Sequence, residues 1–519
     1  MKINIIYQAI ISVALLSASG CDKSYFNTVQ DTDGPEGHFS DFTSILPSQE
    51  DRVITAPGYK TNVLISEADP INSSGDTFGY NNDHVQFFPE DLSLLSKTKE
   101  ITSGYLFISH EYLPVQPEPR TQKVIEFEKY SVGASILKIR KNHENRWEVD
   151  LSSPDNRRYH ARSKMKIDGP VAKVLGNHVT GTTDNCSGGQ TPWGTALSGE
   201  ESIDYGSVRK WKNFDDRSSG WIVEFDPYDK RRLPVKHSAL GRFKHENAAI
   251  AISRNGHAVV YMGEDKIGGG FYKFISDKKY NPESRSHNLS LLSSGRLYGA
   301  KIDLNKGEGS WVPLDLKHPV SGPVLYQAGF TSNADVLLDV ARASKFLGIT
   351  ELDRPEDCEI HPLDSSIYLA LTNNMNRIPP NLHGQIVRFV EKKNDLESMT
   401  FRFEIVSEGG KESGYSSPDN LAFDSYGNLW ITTDIFSPNL TKIAWSFNGN
   451  NSLLMMKTGK NHKRPYRFAS APSGAEFTGP WFTGDESVLF LAVQHPGEGM
   501  PSSWPEGKAR SSVIAIYRD

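Results

Sequence analysis

The chain has 519 residues, with Lys plus Arg 57 against Asp plus Glu 63, so the formal net charge is −6; no basic block stands out, which excludes a nucleic-acid footprint. A hydrophobic content of 37% and a mean hydropathy of −0.47 exclude a polytopic membrane protein, and an aromatic content of 10% excludes a wholly disordered chain. Gly 43 and Pro 29 favour turn-rich β structure, and Cys 3 is too few for a disulfide framework.

Residues 1–21 read as a lipoprotein-type signal peptide: Lys2, an apolar run over Ile5–Leu16, then Ser17-Ala18-Ser19-Gly20-Cys21. The run is too short to span a bilayer. Small residues directly before a cysteine put a lipid on Cys21, which would be the only attachment to a membrane. Residues 22–49 are polar and suit a flexible tether. The expected location is the cell envelope or periplasm, where cytosolic nucleotides are excluded and calcium is free.

From residue 50 to 519 the chain reads as one all-β domain with short helices. Apolar runs at Tyr105–Ser109, Ala258–Met262, Ser366–Leu371, Leu429–Thr432 and Val488–Val493 are bounded by Gly, Asn, Asp and Ser, as strands are. The clearest helical period lies at Ala334–Lys345 and predicts one short helix. Four segments share a grammar of acid, short strand, polar turn and apolar strand: His245–Asp265, Pro355–Asn374, Pro418–Asp434 and Ala475–Glu498. Asp184–Glu201 follows it with Cys186 in place of the acid, and Gly104–Tyr112 is a looser sixth. The spacing is wider than the ~40–50 residues of regular propeller repeats, so the expectation is a six-bladed β-propeller with insertions. A pair of β-sandwiches is the alternative, but it does not explain one acid per repeat.

In a propeller the first strands of successive blades converge on the axis. Cys186, Glu246, Glu356, Asp419 and Glu476 would then share one funnel. Anionic groups packed together repel unless they are protonated, spread apart or neutralised by cations. Bound metal is the economical solution: carboxylates suit Ca²⁺, and a thiolate suits a softer ion such as iron or zinc. Cys358 reads as an inert buried thiol and Trp193 as sheet packing. Glu200 and Glu201 are open between ligand and strand end. His110, His245 and His495 read as structural groups able to hydrogen-bond a ligand.

These motifs resemble the PhoX-type alkaline phosphatases. The resemblance is carried by Asn185–Glu201 (NCSGGQTPWGTALSGEE), Leu347–Asp357 (LGITELDRPED), Ala239–Ile250, Val260–Asp265, Ser417–Asp434 and Gly474–Glu498, in the family's order. It implies a six-bladed propeller that hydrolyses phosphate monoesters, a small-molecule substrate, with a metal-held oxo or hydroxo nucleophile in an iron–calcium (Fe³⁺, Ca²⁺) cluster. By motif, Cys186 matches the thiolate ligand, Glu246, Glu356, Asp419 and Glu476 the acidic ligands, and Arg354 the phosphate-binding arginine; Asn185 would touch substrate. A monomer is expected. The competing readings are a calcium-dependent lactonase or phosphotriesterase propeller, which shares the acidic funnel but not the thiolate, and a non-catalytic binding propeller at the envelope.

Overall fold

A computed structural model describes residues 37–95, 100–114, 121–201, 211, 215–458 and 464–519. The signal peptide, Cys21 and most of the tether lie outside the described residues. Among these residues, no helix is long and apolar enough to cross a membrane.

The fold is mostly antiparallel β-sheet. The predicted apolar runs are strands with slightly wider limits: Ser103–His110, His257–Gly263, Ile367–Leu371, Leu429–Thr433 and Val488–Gln494. Each is the second strand of its sheet, and each pairs antiparallel with a preceding strand: Asn82–Pro89, Ala249–Ile252, Pro355–Ile360, Pro418–Phe423 and Glu476–Phe482. Asn185–Gln190 pairs with Ala196–Glu200 in the same way. These six first strands form a circuit of neighbours in chain order, and Glu476–Phe482 returns beside Asn82–Pro89.

Outward from the first strands, the sheets differ in how they end. The strand Glu308–Pro313 pairs with both Gly295–Asp303 and Thr400–Glu408, which fuses two units into one nine-stranded sheet. Lys164–Asp168 adds to Val235–His237 in parallel. The last unit is completed by Tyr59–Ser66, which pairs with the C-terminal strand Ser512–Arg518. Tyr59–Ser66 thus covers the outer side of the C-terminal strand and forms the edge of that sheet.

The predicted helix is two helices, Asn333–Leu338 and Val340–Leu347. Asp339 breaks the period with φ −137° and ψ 60°, and its carboxylate caps the second helix by accepting from the Arg342 backbone. A further helix, Gln122–Ser131, starts at Thr121, whose hydroxyl accepts from the Val124 backbone. The sequence reading had no helix there.

The tether ends earlier than residue 49. Phe39 and Phe42 are buried against Trp430 and Phe468. The Ile45 amide donates to the Arg467 carbonyl at 2.9 Å, and the Tyr59 hydroxyl donates to the Phe39 carbonyl at 2.7 Å. Two phenylalanines within a polar stretch are enough to bind it to the sheets, since burying each ring contributes about 1.5–3 kcal/mol.

Candidate active site

The chemistry-bearing side chains occupy one register in the six repeats. Asp83, Cys186, Glu356 and Asp419 are each the second residue of their first strand, Glu476 is the first residue of its strand, and Glu246 lies just before Ala249–Ile252. Four of these strands carry the same irregularity: pairing breaks between Asn82 and Val85, Asn185 and Gly188, Pro355 and Cys358, and Pro418 and Leu421. The break falls at the acid or thiol, so these side chains are freed from the regular pleat and re-aimed.

A second set stands at the far end of each second strand. The backbone N–H groups of Glu111, Glu201, Asp265, Thr372 and Asp434 donate to the carbonyls of Asn81, Asp184, Lys244, Arg354 and Ser417. Each acceptor lies two residues before the acid or thiol of its own repeat. Of these acceptors, Asn81, Asp184, Arg354 and Ser417 have φ between 45° and 55°, and Gly474, the sixth counterpart, has φ 69°. Left-handed backbone at non-glycine residues costs of order 1 kcal/mol each and gathers where a site demands a geometry.

Together these residues form a continuous anionic cluster. Ligand atoms of Asp83, Glu111 and Cys186 lie within 4.8 Å of one another, as do those of Glu246, Glu356 and Asp419. Cys186 links the groups, with Sγ 3.3 Å from Asp83 Oδ2 and 3.1 Å from Glu246 Oε2. Gln494 Nε2 donates to Glu111 Oε2 at 2.9 Å. His495 Nε2 meets Glu476 Oε1 at 2.9 Å. Opposing this charge, Arg354 donates Nε to Asp265 Oδ1 (2.8 Å) and Nη2 to Asp265 Oδ2 (2.6 Å), and Nη2 also lies 3.0 Å from Glu356 Oε1.

The protonation energetics follow from crowding. Burial, with Asp419 facing it, pushes Asp83 up to about 7. Burial and carboxylate neighbours raise Glu111, Glu201, Glu246, Glu356, Asp419 and Glu476 well above the usual carboxylate range. Burial and Asp83 raise the Cys186 thiol. Asp265 is the exception: against the cost of burial, the Arg354 guanidinium holds it below its ordinary value. Asp83 Oδ1 and Glu476 Oε2 are buried and make no hydrogen bond. Carboxylate oxygens and one sulfur that converge with partners missing are a donor set for cations, so the residues fit bound metal.

The structure brings together Cys186, Glu246, Glu356, Asp419, Glu476 and Arg354. It does not bring Asn185 with them. Its side chain is fully buried, accepts from Thr182 Oγ1 at 2.8 Å and donates to Ser198 Oγ at 3.2 Å; one step along a strand from Cys186, it faces away. Glu200 is a structural partner, with Lys236 Nζ at 2.5 Å and both side chains buried, whereas Glu201 faces Asp265 and Glu111. Cys358 donates to Asn247 Oδ1 at 3.2 Å in the core, and Trp193 donates to Glu224 Oε1 at 2.8 Å. His110 pairs with Ser135 and His245 with the Gly241 carbonyl.

Sequence reading missed Asp83, Glu111, Asp265 and Asp434. The signal was present: Glu111, Glu201 and Asp434 each follow a second strand directly, and Asp265 follows one after a single residue. Asp83 was hidden because Gly104–Tyr112, taken as the loose sixth repeat, holds the second strand of its unit; the first strand lies upstream.

A family model for alkaline phosphatase PhoX matches residues 40–497. The chain belongs to the PhoX alkaline phosphatase family. The structure of Pseudomonas fluorescens PhoX in complex with vanadate, a transition state analogue, is similar to it at 32% identity with a TM-score of 0.82, covering 92% of this chain and 98% of that one. More distant neighbours in shape are a gluconolactonase from Xanthomonas campestris (9% identity, TM-score 0.36, covering 92% of this chain and 98% of that one) and a Trypanosoma rangeli sialidase (8% identity, TM-score 0.39, covering 89% of this chain and 60% of that one). No curated protein matches the chain.

Proposed function

We propose that this phosphatase hydrolyses small phosphate monoesters at the cell envelope, with calcium and iron held by the anionic cluster. The observation that carries the reading is the guanidinium of Arg354 set against Asp265 and Glu356 at the edge of a cluster of buried carboxylates. Cations held by those carboxylates, together with Arg354, give a dianionic phosphate a place to bind. Bound metal would supply positive charge against the phosphoryl oxygens and lower the pKa of water there.

The chain's own residues divide the work. Asp83, Glu111 and Cys186 form a mixed oxygen and sulfur set that suits iron, and Glu246, Glu356 and Asp419 an oxygen set that suits calcium. Arg354 Nη1 takes no part in the bonds to Asp265 and Glu356, and the planar fork matches a phosphate edge. His495 orients Glu476, and Gln494 orients Glu111.

The six sheet units and the circuit of their first strands support a six-bladed propeller with two blades fused through Glu308–Pro313. Envelope location and a lipid on Cys21 rest on the sequence of residues 1–21, and a monomer remains part of this reading. A panel of p-nitrophenyl phosphate, a bis-phosphodiester and a lactone, read with elemental analysis of the purified protein, tests the function. Phosphomonoester turnover with iron and calcium supports it; lactone turnover with calcium alone overturns it.

A further inference from the structure

The first strands have two ends, and only one carries the anionic cluster. At the other end lies a cavity of about 530 Å³ whose lining includes Phe87, Gln190, Ile360 and Phe423. Each of these residues stands four positions beyond Asp83, Cys186, Glu356 or Asp419 on the same strand. At ~3.3 Å per residue these four lie roughly 13 Å along the strands from the cluster, while His84 and Leu421, one and two residues beyond Asp83 and Asp419, form the nearer wall. A cavity of this size accepts a small organic ligand.

Its chemistry differs from that of the cluster. The walls are largely apolar and aromatic, with Trp481, Phe482 and Leu421 joining the residues above. Three carboxylates line it, and two are already committed. Asp424 accepts from Asn428 Nδ2 at 2.8 Å and Trp430 Nε1 at 3.2 Å. Glu486 faces His38 and the Ser425 backbone. Glu359 has no basic side chain paired with it among the described residues, and burial pushes its carboxyl up to about 8. His84 also lines the cavity, is 4% exposed, and its Nε2 is buried without a hydrogen-bond partner. Its Nδ1 lies 3.3 Å from Ser187 Oγ, which fixes the ring, and Trp481 meets it edge-on with centroids 6.0 Å apart.

We propose that this cavity is a second binding site, for a small organic cation carried on an aromatic or branched apolar body. Glu359 supplies the counter-charge once the arriving cation displaces its proton, Trp481 and the phenylalanines supply rings for cation–π and apolar contact, and His84 Nε2 supplies one directional hydrogen bond. Among the described residues no arginine or lysine lines the cavity, which disfavours a phosphate anion there. The site is separate from the anionic cluster, and the proposal stands whether or not the catalytic reading does.

The test titrates the metal-loaded protein with benzylammonium, whose N–H can donate to His84 Nε2, with benzyl alcohol as the neutral comparison, by calorimetry. Saturable binding of the cation, with the neutral compound at least roughly tenfold weaker, is the expected result, that being the size of one partly desolvated charge contact. Glu359→Gln and Trp481→Ala should each weaken the cation by a similar factor, while p-nitrophenyl phosphate turnover and metal content hold. Glu359→Gln keeps the side chain's shape, so it remains readable if Trp481→Ala fails to fold. Absence of saturation at millimolar probe overturns the proposal. So does binding that ignores both substitutions and competes with substrate, because the cation would then sit in the carboxylate cluster.

Discussion

Arg354 grips Asp265 with two parallel bonds, Nε to Oδ1 at 2.8 Å and Nη2 to Oδ2 at 2.6 Å, while Nη2 also reaches Glu356. The pair crosses from one repeat to the next: Asp265 lies two residues past the second strand His257–Gly263, and Arg354 directly precedes the following first strand. Its left-handed backbone, φ 55°, sets the guanidinium at the cluster's edge. Arg354→Lys keeps the charge but loses the fork, so kcat/KM for p-nitrophenyl phosphate should fall by roughly 10–150-fold, the range of one lost charge-assisted hydrogen bond. Metal content should be unchanged; a variant that turns over as well as the parent would remove Arg354 from substrate binding.

Cys186 is the one sulfur in the cluster, with Asp83 and Glu246 both within 3.3 Å of Sγ. Cys186→Ala removes a soft donor and leaves every carboxylate in place. Purified variant should lose iron and keep calcium by elemental analysis, with far-ultraviolet circular dichroism unchanged. Iron retained at the parent's stoichiometry would separate the thiol from the metal.

The acid-per-repeat grammar made Cys186, Glu246, Glu356, Asp419 and Glu476 legible, because equivalent register positions in neighbouring strands converge. Asp83 was not legible from that grammar: its strand is separated from the next by a long connection, so the repeat looked like Gly104–Tyr112 alone. Asn185 misled because adjacency in sequence to Cys186 is opposition in a strand. The helix break at Asp339 depends on a capping bond, which a hydrophobic period does not encode. Residues 37–49 read as polar tether because average composition outweighs two phenylalanines, whereas packing is decided by those two rings.

Phe39 packs against Tyr59, Trp430, Phe468 and Phe482 with ring centroids between 5.0 and 5.9 Å, the closest being Tyr59 at 5.0 Å. Phe39→Ala should therefore cost about 3 kcal/mol in urea unfolding, the usual loss for a buried phenylalanine. Truncation to residue 50 should cost more than that single change. If both leave the midpoint unmoved, the segment does not belong to the folded domain.

Chelation should expose the repulsion that the cations offset. With metal removed, Asp83 titrates near 7 and its neighbours are raised, so the folded state binds protons that the unfolded chain, with carboxyls near 4, releases. Stability from these groups is fully present below about pH 4 and falls as pH rises through about 7. Metal-free protein should lose Tm progressively over that window, on top of whatever the rest of the chain does. Metal-loaded protein should not share the loss, because bound cations replace the protons, and adding calcium back at pH 8 should raise Tm in a concentration-dependent way. The measurement is differential scanning calorimetry with and without chelator across the window. Parallel pH profiles for the two forms would show that the carboxylates of this cluster carry no cations.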